Sequence, residues 1–345
     1  MTTSQRPDTT SGVSPAGRVD GAARTRLYRD GRLVLADFPV ADISAHLGDR
    51  GCLIWLDLCN PTPHDFDVIG QEFGLHELAV EDALAQQQRP KLDRYATHLF
   101  LSAYAVTLDP DTGRLDAGEI AVFVTRTALI TVRTSDGFDI DGVVARWDSS
   151  PDLVAHGVGF LLYALLDHIV DGHFAAVQRL DDGIEELEDL LFAEGREQLH
   201  AVQRRSFELR KNLVLLRRVV LPMREVVNAL MRRDLDVVAE PMMPYYQDVY
   251  DHVLRATEWT ESLRDLVTTV LETNLTIQGN RLNLIMKKVT SWAAIIAVPT
   301  AITGFYGQNL PYPGFGTYGG FLFSTALILA LSSLLYVTFK HRDWL

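Results

Sequence analysis

Cysteine is nearly missing from this chain: 345 residues hold two, Cys52 and Cys59. No CxxC pair exists, which excludes a zinc knuckle and a dithiol redox motif. Free cysteine packs as a small hydrophobe, so the two read as buried apolar residues in a reducing compartment. Positive charge is also short, 32 Lys and Arg against 45 Asp and Glu, a net of −13. A nucleic-acid partner calls for a Lys/Arg-rich face; the acidic balance argues against one and suits attraction of cations. An apolar leader is absent from residues 1–24, which are rich in Ser, Thr, Pro, Gly and Asp. A disordered tail is expected there, and no signal peptide.

Catalytic machinery is equally scarce. No nucleophile with a base and an orienting partner stands out, and no phosphate-binding loop, so no enzyme is expected. Gly314-x-Gly316-x-x-Gly319 fits a dinucleotide fingerprint in letters only, since no strand pattern precedes it and no acidic residue follows at the needed distance. His76-Glu77 opens like a zinc-protease motif, but the fourth residue on from His76 is Val80.

What is present comes in blocks. Residues 25–150 alternate short β-rich runs with a helical stretch and predict a cytoplasmic mixed α/β domain in a chain of α+β class. Strands are predicted over 32–36, 52–58, 98–106, 119–124 and 129–132. One helical stretch, 63–85, follows Asn60-Pro61-Thr62 as turn and cap. Asp109-Pro110-Asp111-Thr112-Gly113 reads as a hairpin turn. Residues 151–240 lose the strand signal and predict a helical hairpin with arms 153–193 and 197–233. The first arm is acidic (Asp181, Asp182, Glu185, Glu186, Glu188, Asp189) and the second basic (Arg204, Arg205, Arg210, Lys211, Arg217, Arg218). An antiparallel pair would match these charges; two separately solvated faces are the alternative.

From residue 245 to 303 only Gly279 and Pro299 interrupt a helical pattern. Residues 241–288 therefore predict a long stalk helix that runs into a first membrane span at 289–306. A loop (307–319), a second span (320–339) and a basic tail (340–345) complete the chain. Neither span carries a charge, and each is long enough for a hydrocarbon core of about 30 Å. Arg281, Lys287 and Lys288 precede the first span, Lys340 and Arg342 follow the second, and the loop has no charge at all. By the positive-inside rule both ends are cytoplasmic and the loop is outside, as in a multi-pass protein of the cell membrane.

Heptad steps separate the faces of the first span. Asn283, Thr290, Ala297 and Gly304 form one row, and Met286, Ala293, Thr300 and Gly307 the next. The two adjacent rows are small or polar except for Met286, whereas Trp292, Ile295, Ile296, Val298, Ile302 and Phe305 face elsewhere. A pore lining is one reading of that face, and tight helix packing in lipid is the other. Two spans cannot enclose a channel, so a pore requires a ring of subunits, most simply cyclic.

These segments resemble the CorA-type divalent cation transporters. The likeness rests on Tyr306-Gly307-Gln308-Asn309 after a Pro-containing span, and on a second span and a tail closing in Asp343-Trp344-Leu345. Glu81-Asp82 with Gln88-Arg89-Pro90-Lys91, residues 160–171 and residues 245–252 resemble family segments in the same order. The resemblance implies a funnel-shaped homopentamer in a lipid bilayer. Passive influx of Mg²⁺, and often of Co²⁺ and Ni²⁺, is implied with it, and no organic cofactor. It implies a selectivity filter of Gly307, Gln308 and Asn309, whose amide oxygens would hold a hydrated ion that gives up water reluctantly. Asn283 and Thr300 would offer further oxygens, and Met286 with Val289 a constriction that closes by dewetting; Met286 suits packing between stalks equally well. The resemblance further implies inhibition by cytoplasmic Mg²⁺ bound between subunits at Asp82 and Asp248, with Glu81 and Asp167 nearby. Such an ion would favour a closed ring by binding that state more tightly.

The chain departs from the pattern at Gln308, where the commonest family signature has Met and zinc transporters of the ZntB type have Val. Zn²⁺ transport is therefore an alternative, and a membrane-anchored scaffold or sensor without transport is an alternative of another class.

Overall fold

The computed structural model describes residues 22–48, 51–85, 88–110, 112–192, 196–232, 235, 237–308, 311 and 313–345. The chain divides into two compact units, Met1–Thr268 and Thr269–Leu345.

The first unit is built on a seven-stranded sheet in the order β2-β1-β3-β7-β6-β5-β4. Its strands are β1 (Ala22–Arg29), β2 (Arg32–Ala36), β3 (Cys52–Cys59), β4 (Lys91–Arg94), β5 (Leu99–Leu108), β6 (Leu115–Val124) and β7 (Ala128–Arg133). Among the described residues only β3 and β7 run parallel, and every other pairing is antiparallel. All eight residues of β3 are buried, which explains its continuous apolar run, since a strand covered on both faces need not alternate. Both cysteines belong to it and are buried, as expected.

Helices cover both faces. On one, α1 (Pro63–Phe73) and α2 (Glu77–Ala85) bring Phe66, Ile69, Phe73, Ala79 and Ala83 onto Ile54, Leu56, Phe100, Phe123 and Ile130. On the other lie α3 (Ile140–Ser149), the short α4 (Pro151–Val154) and α5 (Val158–Phe192). There Trp147 meets Trp55 edge-on at 4.9 Å. Trp55 Nε1 donates to Thr131 Oγ1 at 3.1 Å, Thr131 donates to Asp57 at 2.7 Å, and Arg133 Nη2 closes the chain on Asp57 at 2.7 Å. A buried carboxylate is tolerated because this many donors meet it.

The remaining helices are α6 (Arg196–Leu230), α7 (Met243–Tyr306) and α8 (Tyr318–His341). Helices α5 and α6 pack on each other, and Arg205 reaches Glu186 across them at 3.5 Å. With 64 residues, α7 is roughly 95 Å long at 1.5 Å per residue. Pro222 and Pro299 lie inside α6 and α7.

Several elements differ from expectation. β1 starts at Ala22, inside the expected tail, while residues 1–21 lie outside the described residues. Its signal was present in the Asp30-Gly31 turn to β2, where φ is 48° and 80°, values that suit a tight hairpin. Gly31 has no substitute there, because a Cβ would lie 2.4 Å from the Pro151 carbonyl. The stretch 63–85 is two helices, since Gly74 ends α1 in the left-handed conformation at φ 62°. The Thr62 cap holds as expected, reinforced by Asp65 in a capping box. The hairpin at 109–113 joins β5 and β6, with Gly113 at φ 64° and its N–H on the Asp109 carbonyl at 2.9 Å.

α5 is tied to the sheet by His173, which is wholly buried. Its Nε2 donates to the Tyr104 carbonyl at 2.6 Å, and its Nδ1 has no partner among the described residues. Burial pulls the imidazole pKa down from 6.5 to about 4, against a smaller upward pull from that hydrogen bond. The unfolded chain thus takes up a proton that the native state refuses, so the stability present above pH 6.5 is lost progressively toward pH 4. Between pH 7 and pH 5 this should remove about 2 kcal/mol. His173→Gln should flatten that part of the unfolding midpoint against pH; an unchanged slope would assign the effect to other groups.

Candidate functional site

Three side chains of the first unit converge on one point. Asp167 projects from α5, and Asp248 and His252 from α7. Residues four apart share one face of a helix, so Asp248 and His252 present a carboxylate and an imidazole side by side. One ligand atom from each of the three lies within 4.8 Å of the others. The start of α7 is anchored for this purpose by Tyr246, whose hydroxyl donates to the Gly159 carbonyl on α5 at 2.8 Å.

Asp167 is 4% exposed, whereas Asp248 is exposed and His252 half-buried. Burial raises the Asp167 pKa above its ordinary 3.8, and Asp171 and Asp248 add to that, while Arg146 and His252 oppose it. Arg146, on α3, forms an ion pair with Asp167 and donates to the Tyr163 hydroxyl at 3.4 Å. Two carboxylates offer the hard oxygen donors that Mg²⁺ takes, and an imidazole adds a donor suited to Co²⁺, Ni²⁺ or Zn²⁺.

Of the expected ligands, Asp167 and Asp248 are brought together and Asp82 and Glu81 are not. Asp82 lies on α2, bound to Lys91 Nζ at 2.6 Å, and Glu81 on the same helix is exposed. His252 was not among the expected ligands. Its signal was legible as Asp248-x-x-x-His252 within a helical pattern.

Among the described residues three helical segments are long and apolar enough to cross a membrane: Val158–Leu191, Glu240–Tyr306 and Tyr318–His341. The most apolar window of the first is 72% buried within the protein, against 6% and 0% for the others, so the first is a core helix by its packing. On α7, Asn283, Met286, Val289, Thr290, Ala293, Ala297, Thr300 and Gly304 are all exposed. Ser291 is 1% exposed, and Ala294, Ile295, Val298 and Ile302 are partly covered. The small and polar rows are therefore uncovered, as are the large apolar Trp292, Ile296 and Phe305. Thr300 Oγ1 donates to the Ile296 carbonyl and Thr303 Oγ1 to the Pro299 carbonyl, each at 2.9 Å. Beyond Tyr306, the Gly307 N–H bonds the Thr303 carbonyl at 2.8 Å, and a Cβ on Gly307 would lie 2.9 Å from that oxygen. Gln308 is exposed, and Asn309 lies outside the described residues.

Comparison with known proteins gives the family and the fold. The cobalt/magnesium transport protein CorA of Thermotoga maritima is 29% identical over 316 residues, covering 90% of this chain and 89% of that protein. The complete structure of the CorA magnesium transporter from Methanocaldococcus jannaschii shares the fold, with a TM-score of 0.75 at 24% identity over 94% of this chain and 98% of that one. The ZntB cytoplasmic domain from Vibrio parahaemolyticus is more distant, at TM-score 0.51 and 17% identity over 67% of this chain and 88% of that one. Residues 51–341 match the family described as CorA-like Mg²⁺ transporter protein. That family consists of transporters rather than enzymes, and this chain belongs to it.

Proposed function

We propose that the chain is one subunit of a homopentameric channel that admits divalent cations, Mg²⁺ first and Co²⁺ and Ni²⁺ with it. The two adjacent rows of small and polar residues along α7 carry this reading. A lipid anchor would bear large apolar side chains on every face, whereas Asn283, Thr290 and Thr300 offer oxygens to a hydrated ion. Both termini are cytoplasmic, because the basic residues flank the spans on one side and the 307–319 loop has none. Gly307, Gln308 and Asn309 form the filter at the outer end. The Gly307 backbone has no room for a side chain, and the amides supply neutral oxygens that select through the hydration shell.

Cytoplasmic Mg²⁺ binds at Asp167, Asp248 and His252 and inhibits flux. Three protein donors leave places in an octahedral shell, filled by water or by Asp82 and Glu81 of a neighbouring subunit. Occupancy joins subunits and favours the closed ring. His252 supports a second cargo reading, since an imidazole donor favours Co²⁺ or Zn²⁺ over Mg²⁺. Uptake of Zn²⁺ without Mg²⁺ by vesicles holding the purified protein would select the zinc-transporter reading.

In vesicles, Asn309→Ala and Thr300→Leu should each lower Mg²⁺ uptake at least about ten-fold while leaving assembly intact. Wild-type uptake in both would reduce the hairpin to an anchor. Asp248→Asn should weaken protection of the cytoplasmic unit from proteolysis by Mg²⁺, and unchanged protection would remove the carboxylate from the regulatory site. His252→Ala should weaken Co²⁺ binding about ten-fold and Mg²⁺ binding less than about three-fold; equal losses would show that the imidazole is no ligand.

A further inference from the structure

The cluster carries a feature that a metal site does not need. The Arg146 guanidinium already sits on Asp167, the most buried ligand, through an Nη1–Oδ2 ion pair. The two partners differ in their access to water. Asp167's side chain is 5% exposed and Arg146's 39%, so the carboxylate is committed to the interior while the guanidinium has a way out. Arg146 also has a second seat. Its Nη2 donates to the Tyr163 hydroxyl at 3.4 Å, and its charge lies 5.6 Å from the centre of that ring, within the range of a cation–π contact.

The helix that carries Arg146 is fixed independently of the pair. Asp148 on α3 accepts from Arg26 at 2.8 Å and from the Tyr28 hydroxyl at 3.2 Å. Asp141 on the same helix meets Arg24 at 2.8 Å. Arg146 can therefore leave Asp167 by turning its side chain, with α3 staying on β1.

A divalent cation bound by Asp167, Asp248 and His252 contends with the guanidinium for the same carboxylate, and the two positive charges repel at contact range. Building on the regulatory site proposed above, we propose that Arg146 is a tethered counter-ion that occupies Asp167 until a divalent cation displaces it. Ion binding is then an exchange: the guanidinium leaves Asp167, stays over Tyr163, and the ion takes the freed oxygen. The exchange has three effects. It keeps a buried carboxylate from standing unpaired without metal, and it lowers the apparent affinity by the fraction of sites that Arg146 holds. It also discriminates by valence. A monovalent ion meets the Asp167 carboxylate with the same single charge as the guanidinium it must displace and gains nothing, whereas a divalent ion brings two.

Titration calorimetry of the detergent-purified full chain with Co²⁺ and with Mg²⁺ tests this. Arg146→Gln and Arg146→Met should bind both ions about ten-fold more tightly than wild type, and Arg146→Lys should stay within about three-fold. At constant ionic strength, K⁺ exchanged for a bulky organic cation should compete with Mg²⁺ in the neutral variants and not in wild type. Neutral variants that bind no more tightly than wild type, or a lysine variant as tight as they are, would overturn the exchange. Should neither neutral variant assemble, K⁺ competition in wild type alone would overturn it, and its absence together with wild-type-like Arg146→Lys supports it. Asp248→Asn separates the two levels. If it leaves binding untouched, the regulatory site itself fails; if it abolishes binding while the Arg146 variants match wild type, only the exchange fails.

Discussion

A carboxylate taken out of water must be met by a cation or by several donors, and this constraint organises the first unit twice. Asp57, 1% exposed, receives Arg133 through two nitrogens and Thr131 through its hydroxyl. Those residues join the two parallel strands at the middle of the sheet, and Trp55 and Trp147 extend the contact to α3. Asp167 is buried almost as deeply but receives a guanidinium that is still open to solvent. The same physics yields a closed pair where the fold needs rigidity and an exchangeable one where α5 meets α7. Arg133's side chain is 7% exposed against 39% for Arg146, and that difference, with the added Thr131 donor on Asp57, separates the structural pair from the one proposed to exchange.

The two kinds of oxygen in the chain suit two tasks. Carboxylates gather in the first unit, where the proposed regulatory ion would be held, and the apolar stretches of α7 and α8 carry none. In the proposed pore only amide, hydroxyl and backbone oxygens are offered. An ion that keeps its water can be guided by neutral oxygens and still leave, whereas a carboxylate at that depth would be costly to the bilayer and would hold Mg²⁺ in place.

Much of this was legible in the sequence because it rests on composition over long windows. The charge-free stretches, the flanking basic residues and the long uninterrupted helix are of that kind, and α7 and α8 contain both predicted spans. Strands β2, β3, β5, β6 and β7 were readable from β-branched and aromatic runs. β1 and β4 were not. Arg24-Thr25-Arg26 and Lys91-Leu92-Asp93-Arg94 look like surface loops until one sees that they pair with β3 and β5. The two carboxylates of the cluster came from family likeness, and its imidazole from neither likeness nor composition. Arg146 lies about twenty residues from Asp167 and more than one hundred from Asp248, so no local pattern could have joined them.

Pro299 and the threonines around it have a further consequence. Thr300 and Thr303 each give their hydroxyl proton to a carbonyl of their own helix, four residues back. With the proton turned inward, each oxygen has only lone pairs left to present outward. A face built this way is electron-rich although no residue on it is ionised. In the proposed pore such oxygens would give a permeating cation ligands where no residue is ionised, and the orientation of a few O–H bonds would help to set the sign of the charge that passes.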